Sequence, residues 1–338
     1  LIDGVGARSR ARKNRGVTSR KQFLTSAAAG TAALAVPTIG RAQAGKSLTI
    51  GYVPSTLFAP VFVAVERGYL KNAGITASLT PIVAGQDAMA LVAQSQLDCA
   101  TAGLSAAFFN AVNRGLTVKF VASTGYQPKD GHPTALMIRQ DEWDAGEHDA
   151  SGLKGKTVGW LGNAGATSGY YVALILRKYG LGIKDISAVN IAAPDQQVAL
   201  ERKAVDAMFC AAPFTALFAE KKLAQIIGSA PAGIAGTGIF FGPSLLNDAG
   251  YAKAVMAAFR QGAADIAGSG YYKPENLAAM SKYINQPVEL IKSTDRYDFK
   301  PDLRIDQATL IDMQNEFISQ GILTYKTAIP DAQLIQRY

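Results

Sequence analysis

Histidine, cysteine and tryptophan are scarce: the 338-residue chain holds two of each. His132 and His148 sit in polar stretches with no recognisable motif around them. That excludes a histidine-based metal site and a Ser-His-Asp triad, and both are read as surface side chains. Cys99 and Cys210 fall in apolar strand patterns in different halves of the chain. Neither has a His or a second Cys at metal spacing, so both are expected as free buried thiols. No apolar run is long enough for a good membrane helix. Net positive charge is also small over most of the length. The net charge is +8, but residues 1–44 carry eight basic side chains against Asp3 alone, which leaves +1 for residues 45–338. The basic character is therefore no argument for nucleic-acid binding by the folded part. The small-residue turn Gly162-x-x-Gly165-x-x-x-Gly169 is neither the Gly-x-Gly-x-x-Gly dinucleotide pattern nor a P-loop, since no Gly-Lys-Ser/Thr closes it.

What is present begins with a three-part leader. Basic residues precede an Ala-rich apolar run from Phe23 to Ile39, which ends in Ala42-Gln43-Ala44, an A-x-A cleavage pattern. Ser19-Arg20-Lys21-Gln22-Phe23-Leu24 resembles the twin-arginine export motif, with Lys21 in place of the second Arg. Residues 1–44 are read as an export signal, with the Tat and Sec routes both open.

From Ser47 onward, strand and helix patterns alternate with short turns. Strands are predicted over Leu48–Val53, Ile75–Val83, Asp98–Ala102 and Val118–Ser123. Helices are predicted over Phe58–Tyr69, Ala88–Gln94 and Ser105–Arg114. The alternation implies a parallel sheet covered on both faces. Gly125–Pro133 breaks the rhythm, Thr134–Arg139 extends, and acidic Asp141–Ala150 reads as a surface loop. A second α/β series follows, with strands at Thr157–Leu161, Ile186–Ala192, Ala207–Ala211 and Ala224–Gly228. Its helices are a first one starting near Ser168, then Asp195–Lys203 and Phe214–Lys221. Ser229–Gly238 is a second break and Ile239–Phe241 extends. The rest is nearly all helical (Tyr251–Ile266, Pro274–Tyr283, Pro287–Ser293, Ile305–Gln320) and is expected to pack on the first unit. Two crossings imply a hinge, with a cleft at the carboxyl ends of the strands. The lobes are placed at 45–133 with 237–338, and at 134–236.

The central stretch is Thr157–Gly180, a strand, a small-residue turn (Gly162-x-x-Gly165-x-x-x-Gly169) and a helix. Thr167 and Ser168 are good N-cap types and Gly180 a good stop; Val172, Ile175, Leu176 and Tyr179 form the apolar face. A helix start offers unpaired amides and partial positive charge, which suits a small anion or a polar head group. Ala90-Leu91 to Leu97-Asp98 is echoed by Ala199-Leu200 to Val205-Asp206. Asp98 and Asp206 are expected to pin their own turns, and Trp160 to fill core. Lys221-Lys222 reads as a solvated helix end.

The ordered pieces resemble periplasmic solute-binding proteins of ABC importers, in the nitrate/sulfonate/taurine (NMT1/THI5-like) group. They are Gly51-Tyr52-Val53-Pro54, Glu66-Arg67-Gly68-Tyr69-Leu70, Gly85 before Ala88–Leu91, Leu97-Asp98, Leu153-Lys154-Gly155-Lys156-Thr157-Val158-Gly159, and Ala204-Val205-Asp206-Ala207 with Pro213. The resemblance implies an α/β periplasmic-binding-protein type II fold, two α/β lobes joined by a two-strand hinge. It implies a ligand held between the lobes by Ser55, Thr56, Leu57, Phe58, Gln86, Leu104, Ser105, Asn163, Ala166, Thr167, Ser168, Pro213 and Phe214, with Tyr126 closing over it. It also implies a periplasmic monomer whose partners are a small molecule and an inner-membrane ABC permease, with no cofactor, metal, catalytic residue or nucleic acid. The candidate turns hold no Arg or Lys. With their apolar neighbours this favours an organic anion, a sulfonate or an aromatic carboxylate. Alternatives are nitrate, a pyrimidine precursor, or an NMT1/THI5-like enzyme; the single Cys of Phe209-Cys210-Ala211-Ala212 argues against the last.

Overall fold

The computed structural model describes residues 45–83 and 85–338; the expected export signal lies outside them. Strand and helix alternate first through β1 (Lys46–Tyr52), α1 (Ala59–Glu66), α2 (Tyr69–Asn72), β2 (Ile75–Pro81), α3 (Gly85–Ala93), β3 (Cys99–Gly103), α4 (Ala106–Asn113) and β4 (Lys119–Ser123). The second series is β5 (Thr134–Arg139), α5 (Gln140–Asp144), β6 (Thr157–Trp160), α6 (Thr167–Arg177), β7 (Ser187–Asn190), α7 (Gln196–Glu201), β8 (Ala207–Ala211), α8 (Phe214–Glu220) and β9 (Ala224–Ser229). The chain then returns through β10 (Thr237–Phe241) and ends in α9 (Pro243–Leu246), α10 (Ala249–Asp265), α11 (Pro274–Ile284), α12 (Val288–Ser293), α13 (Gln307–Ser319) and α14 (Asp331–Leu334).

Two five-stranded sheets result, ordered β2-β1-β3-β10-β4 and β7-β6-β8-β5-β9. Neither is all-parallel, which corrects the sequence expectation. β10 runs antiparallel between β3 and β4, and β5 runs antiparallel between β8 and β9. The cause is connectivity: each of these strands enters its sheet from the opposite lobe. Both lie inside a sheet and are buried along their whole length. Their apolar runs are what such strands need, since neighbours flank them on both edges and layers cover both faces.

The two crossings run side by side and are hydrogen-bonded to each other. The Gln127 N–H donates to the Ile234 carbonyl at 2.9 Å, and the Gly233 N–H to the Gln127 carbonyl at 2.8 Å. Backbone-paired segments of this kind form a two-strand hinge.

Asp98 and Asp206 do similar work in the two sheets. Asp98 accepts from the N–H and hydroxyl of Thr49, both at 2.7 Å, and Asp206 accepts from the Thr157 N–H at 2.8 Å. Each carboxylate thus ties the turn before one strand to its parallel neighbour, β1 or β6. The spacing is 49 residues in both cases, so the short sequence echo marks a repeated structural device.

Three other expectations change. The acidic stretch from Asp141 is not all loop: α5 forms over Gln140–Asp144, followed by a 3₁₀ turn at Ala150–Leu153. Its acids hold the buried Arg139 guanidinium, through Asp141 at 2.8 Å and Glu142 at 3.1 Å. Tyr179 is 39% exposed, because α6 ends at Arg177 and Tyr179 falls past its apolar face. The C-terminal helices do not pack on the first lobe alone. α10 and α11 lie on α1, but α12 touches α8 and α13 is bonded to α6.

Candidate functional site

A cavity of about 920 Å³, counting its open mouth, lies between the two sheets. Its wall is built from turns that follow strands. Ser55, Leu57 and Phe58 come after β1, Gly103, Leu104 and Ser105 after β3, Ala166, Thr167 and Ser168 after β6, and Ala212 and Phe214 after β8. A strand of a parallel sheet ends there and the chain turns into a helix, so helix starts gather at one edge. None of the wall residues is Asp, Glu, Lys, Arg or His.

Ten of the fourteen residues singled out from the sequence line this cavity: Ser55, Leu57, Phe58, Gln86, Leu104, Ser105, Ala166, Thr167, Ser168 and Phe214. Thr56, Tyr126, Asn163 and Pro213 do not. Thr56 is turned away, its hydroxyl donating to the Ala212 carbonyl at 3.3 Å. Tyr126 is committed elsewhere. Its backbone pairs with Asp298, and its hydroxyl donates to the Arg304 carbonyl at 2.7 Å. Burial pushes that hydroxyl up to about 12, so it stays a neutral buried donor. Asn163 shapes its own turn, accepting from the Gly165 N–H at 2.9 Å and from the Trp160 indole N–H at 3.2 Å. Trp160 itself is 1% exposed and belongs to the core.

The start of α6 differs in detail from the sequence reading. The N-cap is Ala166, which has no side chain to cap with, and Thr167 is the first helical residue. The Thr167 hydroxyl points instead to the Leu104 carbonyl across the cleft, at 2.7 Å, and to the carbonyl of Gly236, at the end of the second crossing, at 3.0 Å. A hydroxyl has one proton to donate, so this group is used to join the lobes and has no donor left for a ligand. The fit needs small neighbours. A Cβ added at Gly103 would collide with the Thr167 hydroxyl, and one at Gly236 would come within 2.8 Å of the Thr167 methyl. Beside this contact, Ser105 and Ala166 form an antiparallel bridge in which the Ala106 N–H donates to the Gly165 carbonyl at 2.7 Å. The lobes are therefore in direct contact over the cavity.

Most wall hydroxyls are occupied within the protein. Thr237 donates to the Thr124 carbonyl at 2.7 Å, Thr134 shares a 2.7 Å bond with the Tyr297 hydroxyl, and Tyr171 accepts from the Gly236 N–H at 2.6 Å. The polar groups left over are few. Among the described residues, the Ser105 hydroxyl is buried with no partner. The side chains of Ser168, Gln86 and Gln196 make no hydrogen bond to another described residue, and Gln196 is 3% exposed. The first amides of α4 (Ala107, Phe108) and of α6 (Thr167, Ser168, Gly169) have no intrahelical acceptor, as at any helix start. Neither helix has an acidic residue in its first turn to consume that polarity.

Sequence reasoning missed several wall residues. Gln196, Tyr171, Thr134, Thr237, Phe209 and Cys210 line the cavity. Phe209 and Cys210 were assigned to a buried strand, and they do lie on β8, whose end forms the cavity floor. Both cysteines are free and buried, and burial pushes the Cys210 thiol up, so it is neutral. Among the described residues no cluster of His, Cys, Asp and Glu could hold a metal ion. No described helix is long and apolar enough to cross a membrane.

Two mixed sheets, a paired hinge and a cavity walled by helix starts define the fold class of periplasmic binding proteins. Solved structures share it. The alkanesulfonate-binding protein SsuA from Xanthomonas axonopodis pv. citri bound to MOPS is 16% identical, with a TM-score of 0.68, over 86% of this chain and 98% of that one. The periplasmic nitrate-binding protein NrtA from Synechocystis PCC 6803 is 14% identical, with a TM-score of 0.67, over 83% of each chain. A Candida albicans gene product described as having the generic periplasmic binding protein fold is 16% identical, with a TM-score of 0.63, over 83% and 92%. A comparison with curated protein sequences gives no match. The NMT1-like family profile matches residues 41–230, and the chain belongs to that family.

Proposed function

We propose that this protein is the solute-binding component of an ABC importer, exported to the periplasm, and that it binds a small organic anion between its lobes. The observation that carries the reading is the composition of the cavity wall. Thr167 and Ser168 at the start of α6, the N-cap Ser105 of α4 and a few other polar groups face an otherwise apolar surface that includes Leu57, Phe58, Leu104, Phe209 and Phe214. That wall suits one polar, electron-rich end and one apolar body. The sulfonate- and nitrate-binding relatives support the anionic end, and the phenylalanines favour an organic body over bare nitrate.

In this reading the lobes are residues 45–133 with 237–338, and 134–236. The chain acts as a monomer and passes its ligand to an inner-membrane permease. It binds and does not catalyse; the cavity supplies position and desolvation but no nucleophile activated by a base.

The test is a thermal-shift screen over alkanesulfonates, aromatic carboxylates, nitrate and pyrimidines, followed by calorimetry on the hits. A ligand at about 100 times its Kd stabilises the folded state by about 2.7 kcal/mol. Small-angle scattering should show compaction on binding. Tightest binding by nitrate or by a pyrimidine would replace the organic-anion part of the proposal, and turnover of a hit would overturn the binding-only part.

A further inference from the structure

We infer, resting on the anion-binding reading above, that the cavity has a second polar pole: Gln86 and Gln196 take a neutral carboxamide-type group at the far end of the anionic guest. The sheet orders place this pole. Ser105 and Thr167 follow β3 and β6, inner strands of their sheets. Gln86 and Gln196 follow β2 and β7, which are edge strands. The hinge crossings join β4 to β5 and β9 to β10, toward the opposite edges. Both glutamines line the cavity. Gln86 reaches across from its own lobe, since a Cβ added at Gly162 would lie 3.6 Å from its Oε1. The Gly162 turn is tied to the end of β7, its N–H donating to the Asn190 side chain at 2.8 Å. One glutamine from each lobe is thus brought to the side of the cleft away from the hinge.

Gln196 carries most of the argument. It is 3% exposed, yet its carboxamide makes no hydrogen bond to another described residue. A primary carboxamide has N–H donors and an acceptor oxygen on one plane. Covering it without partners costs free energy, so water or a guest has to supply them. No charged side chain lines the wall to draw an ion to this end, and Asp87, beside Gln86, is exposed to water. What matches the two glutamines is a group that donates and accepts at once and carries no charge: a carboxamide, an N-acyl or a ureido group. Its place along the guest follows from strand spacing. Neighbouring strands lie about 4.8 Å apart, β7 is next to β6, and β1 alone separates β2 from β3, so the poles are roughly 5–10 Å apart. A para-substituted benzene ring spans such a gap, and so does a short alkyl chain.

The experiment is calorimetry on the intact mature protein with two matched pairs of probes. They are 4-carbamoylbenzenesulfonate with 4-isopropylbenzenesulfonate, and 4-carbamoylbenzoate with 4-isopropylbenzoate. Each pair keeps shape and charge and differs in hydrogen bonding at the far end. In wild type the carbamoyl member should bind about 5- to 150-fold more tightly, the worth of two net hydrogen bonds. Gln196→Met keeps the volume and removes the amide, and should bring that ratio to one or below. Gln86→Met should lower it part of the way, and decides alone if Gln196→Met does not fold. A wild-type ratio no greater than about two, with the anions bound, overturns the second pole and leaves the anion-binding reading standing. A carbamoyl preference that survives unchanged in the folded variants also overturns it. Failure of all four anions to bind overturns the anion reading and this inference with it.

Discussion

Replacing Thr167 by Val keeps the shape of the side chain and removes the hydroxyl that joins the lobes. In the closed arrangement that hydroxyl donates to the Leu104 carbonyl at 2.7 Å and the Gly236 carbonyl at 3.0 Å. The Gly236 carbonyl keeps a second donor, the Leu104 N–H at 2.8 Å. The Leu104 carbonyl loses the only donor it has among the described residues and is left buried without a partner. Losing one hydrogen bond and stranding one acceptor costs about 1–3 kcal/mol. The penalty falls on the closed form, because opening returns both carbonyls to water. In the proposed reading ligand binds the closed form, so the penalty should appear in the Kd as a roughly 5- to 150-fold increase. Since the hydroxyl has no donor left for a guest, the factor should be the same for a sulfonate and for a carboxylate. Calorimetry with both, alongside small-angle scattering of the free protein, checks this. A Kd within about twofold of wild type for both ligands would refute the latch, since that is well below the smallest hydrogen-bond loss expected. A loss confined to one ligand class would mean that the hydroxyl touches the guest after all.

Further tests follow from contacts elsewhere. Tyr170 donates to Asp312 at 2.6 Å and joins α6 to α13; a Tyr170→Phe and Asp312→Asn cycle on ligand affinity should give a coupling of about 0.5–1.5 kcal/mol. A cycle with no coupling would make this contact neutral to closure. Arg139→Met removes a buried guanidinium that binds Asp141, Glu142 and Asp206. Urea unfolding at neutral pH should show a loss of about 2 kcal/mol, below the buried-pair range because the carboxylates are partly wet. Asp141 is held well below its usual range, first by its bonds to Arg139 and then by those to Lys203. A lowered carboxylate stabilises the fold above its unfolded value of about 3.9, and this contribution fades as pH falls through that value toward the folded one. Wild type should therefore lose stability more steeply than Arg139→Met below about pH 4; parallel acid curves would refute the assignment. Cys210 lines the cavity and Cys99 does not. Alkylation of native protein by a small maleimide should reach Cys210 first and be slowed by saturating ligand, as mass spectrometry can show.

Much of the architecture was legible because strand and helix periods alternate cleanly between Lys46 and Ser229, and each strand end carries a turn of small residues. The direction of β5 and β10 was not legible. An apolar run such as Thr237–Phe241 reads alike whether it runs parallel or antiparallel, and only the crossings decide. The site was legible as a set of turns but not as a set of hydrogen bonds. Thr167 was singled out as a cap for α6 because threonine caps helices well. Where its hydroxyl went depended on two carbonyls contributed by Leu104 and Gly236, some 63 and 69 residues away. Gln196 gave no signal, since a glutamine near a helix start is ordinary on any surface. It is 3% exposed and lines the cavity.

The same contacts bear on how a carrier of this kind can let go. The lobes meet at Thr167, at the Ser55 and Thr56 hydroxyls on the Ala212 carbonyl, at Tyr170 with Asp312, and at Arg177 with Glu316. The Ser55 and Thr56 bonds are long, at 3.4 and 3.3 Å, and share one acceptor, so they add little. The Arg177 side chain is 57% exposed, and an ion pair that open to water contributes at most a fraction of a kcal/mol. Away from the hinge that leaves three well-formed cross-lobe bonds, from Thr167 to Leu104, Tyr170 to Asp312 and Ala106 to Gly165, together about 1.5–4.5 kcal/mol, set against the ordering of a hinge. Closure held so lightly needs a guest to complete it. A guest held by helix dipoles and neutral polar groups, without a cationic side chain, would lose most of its hold once the lobes part and water reaches both helix starts, because such partial charges are strong only where water is excluded.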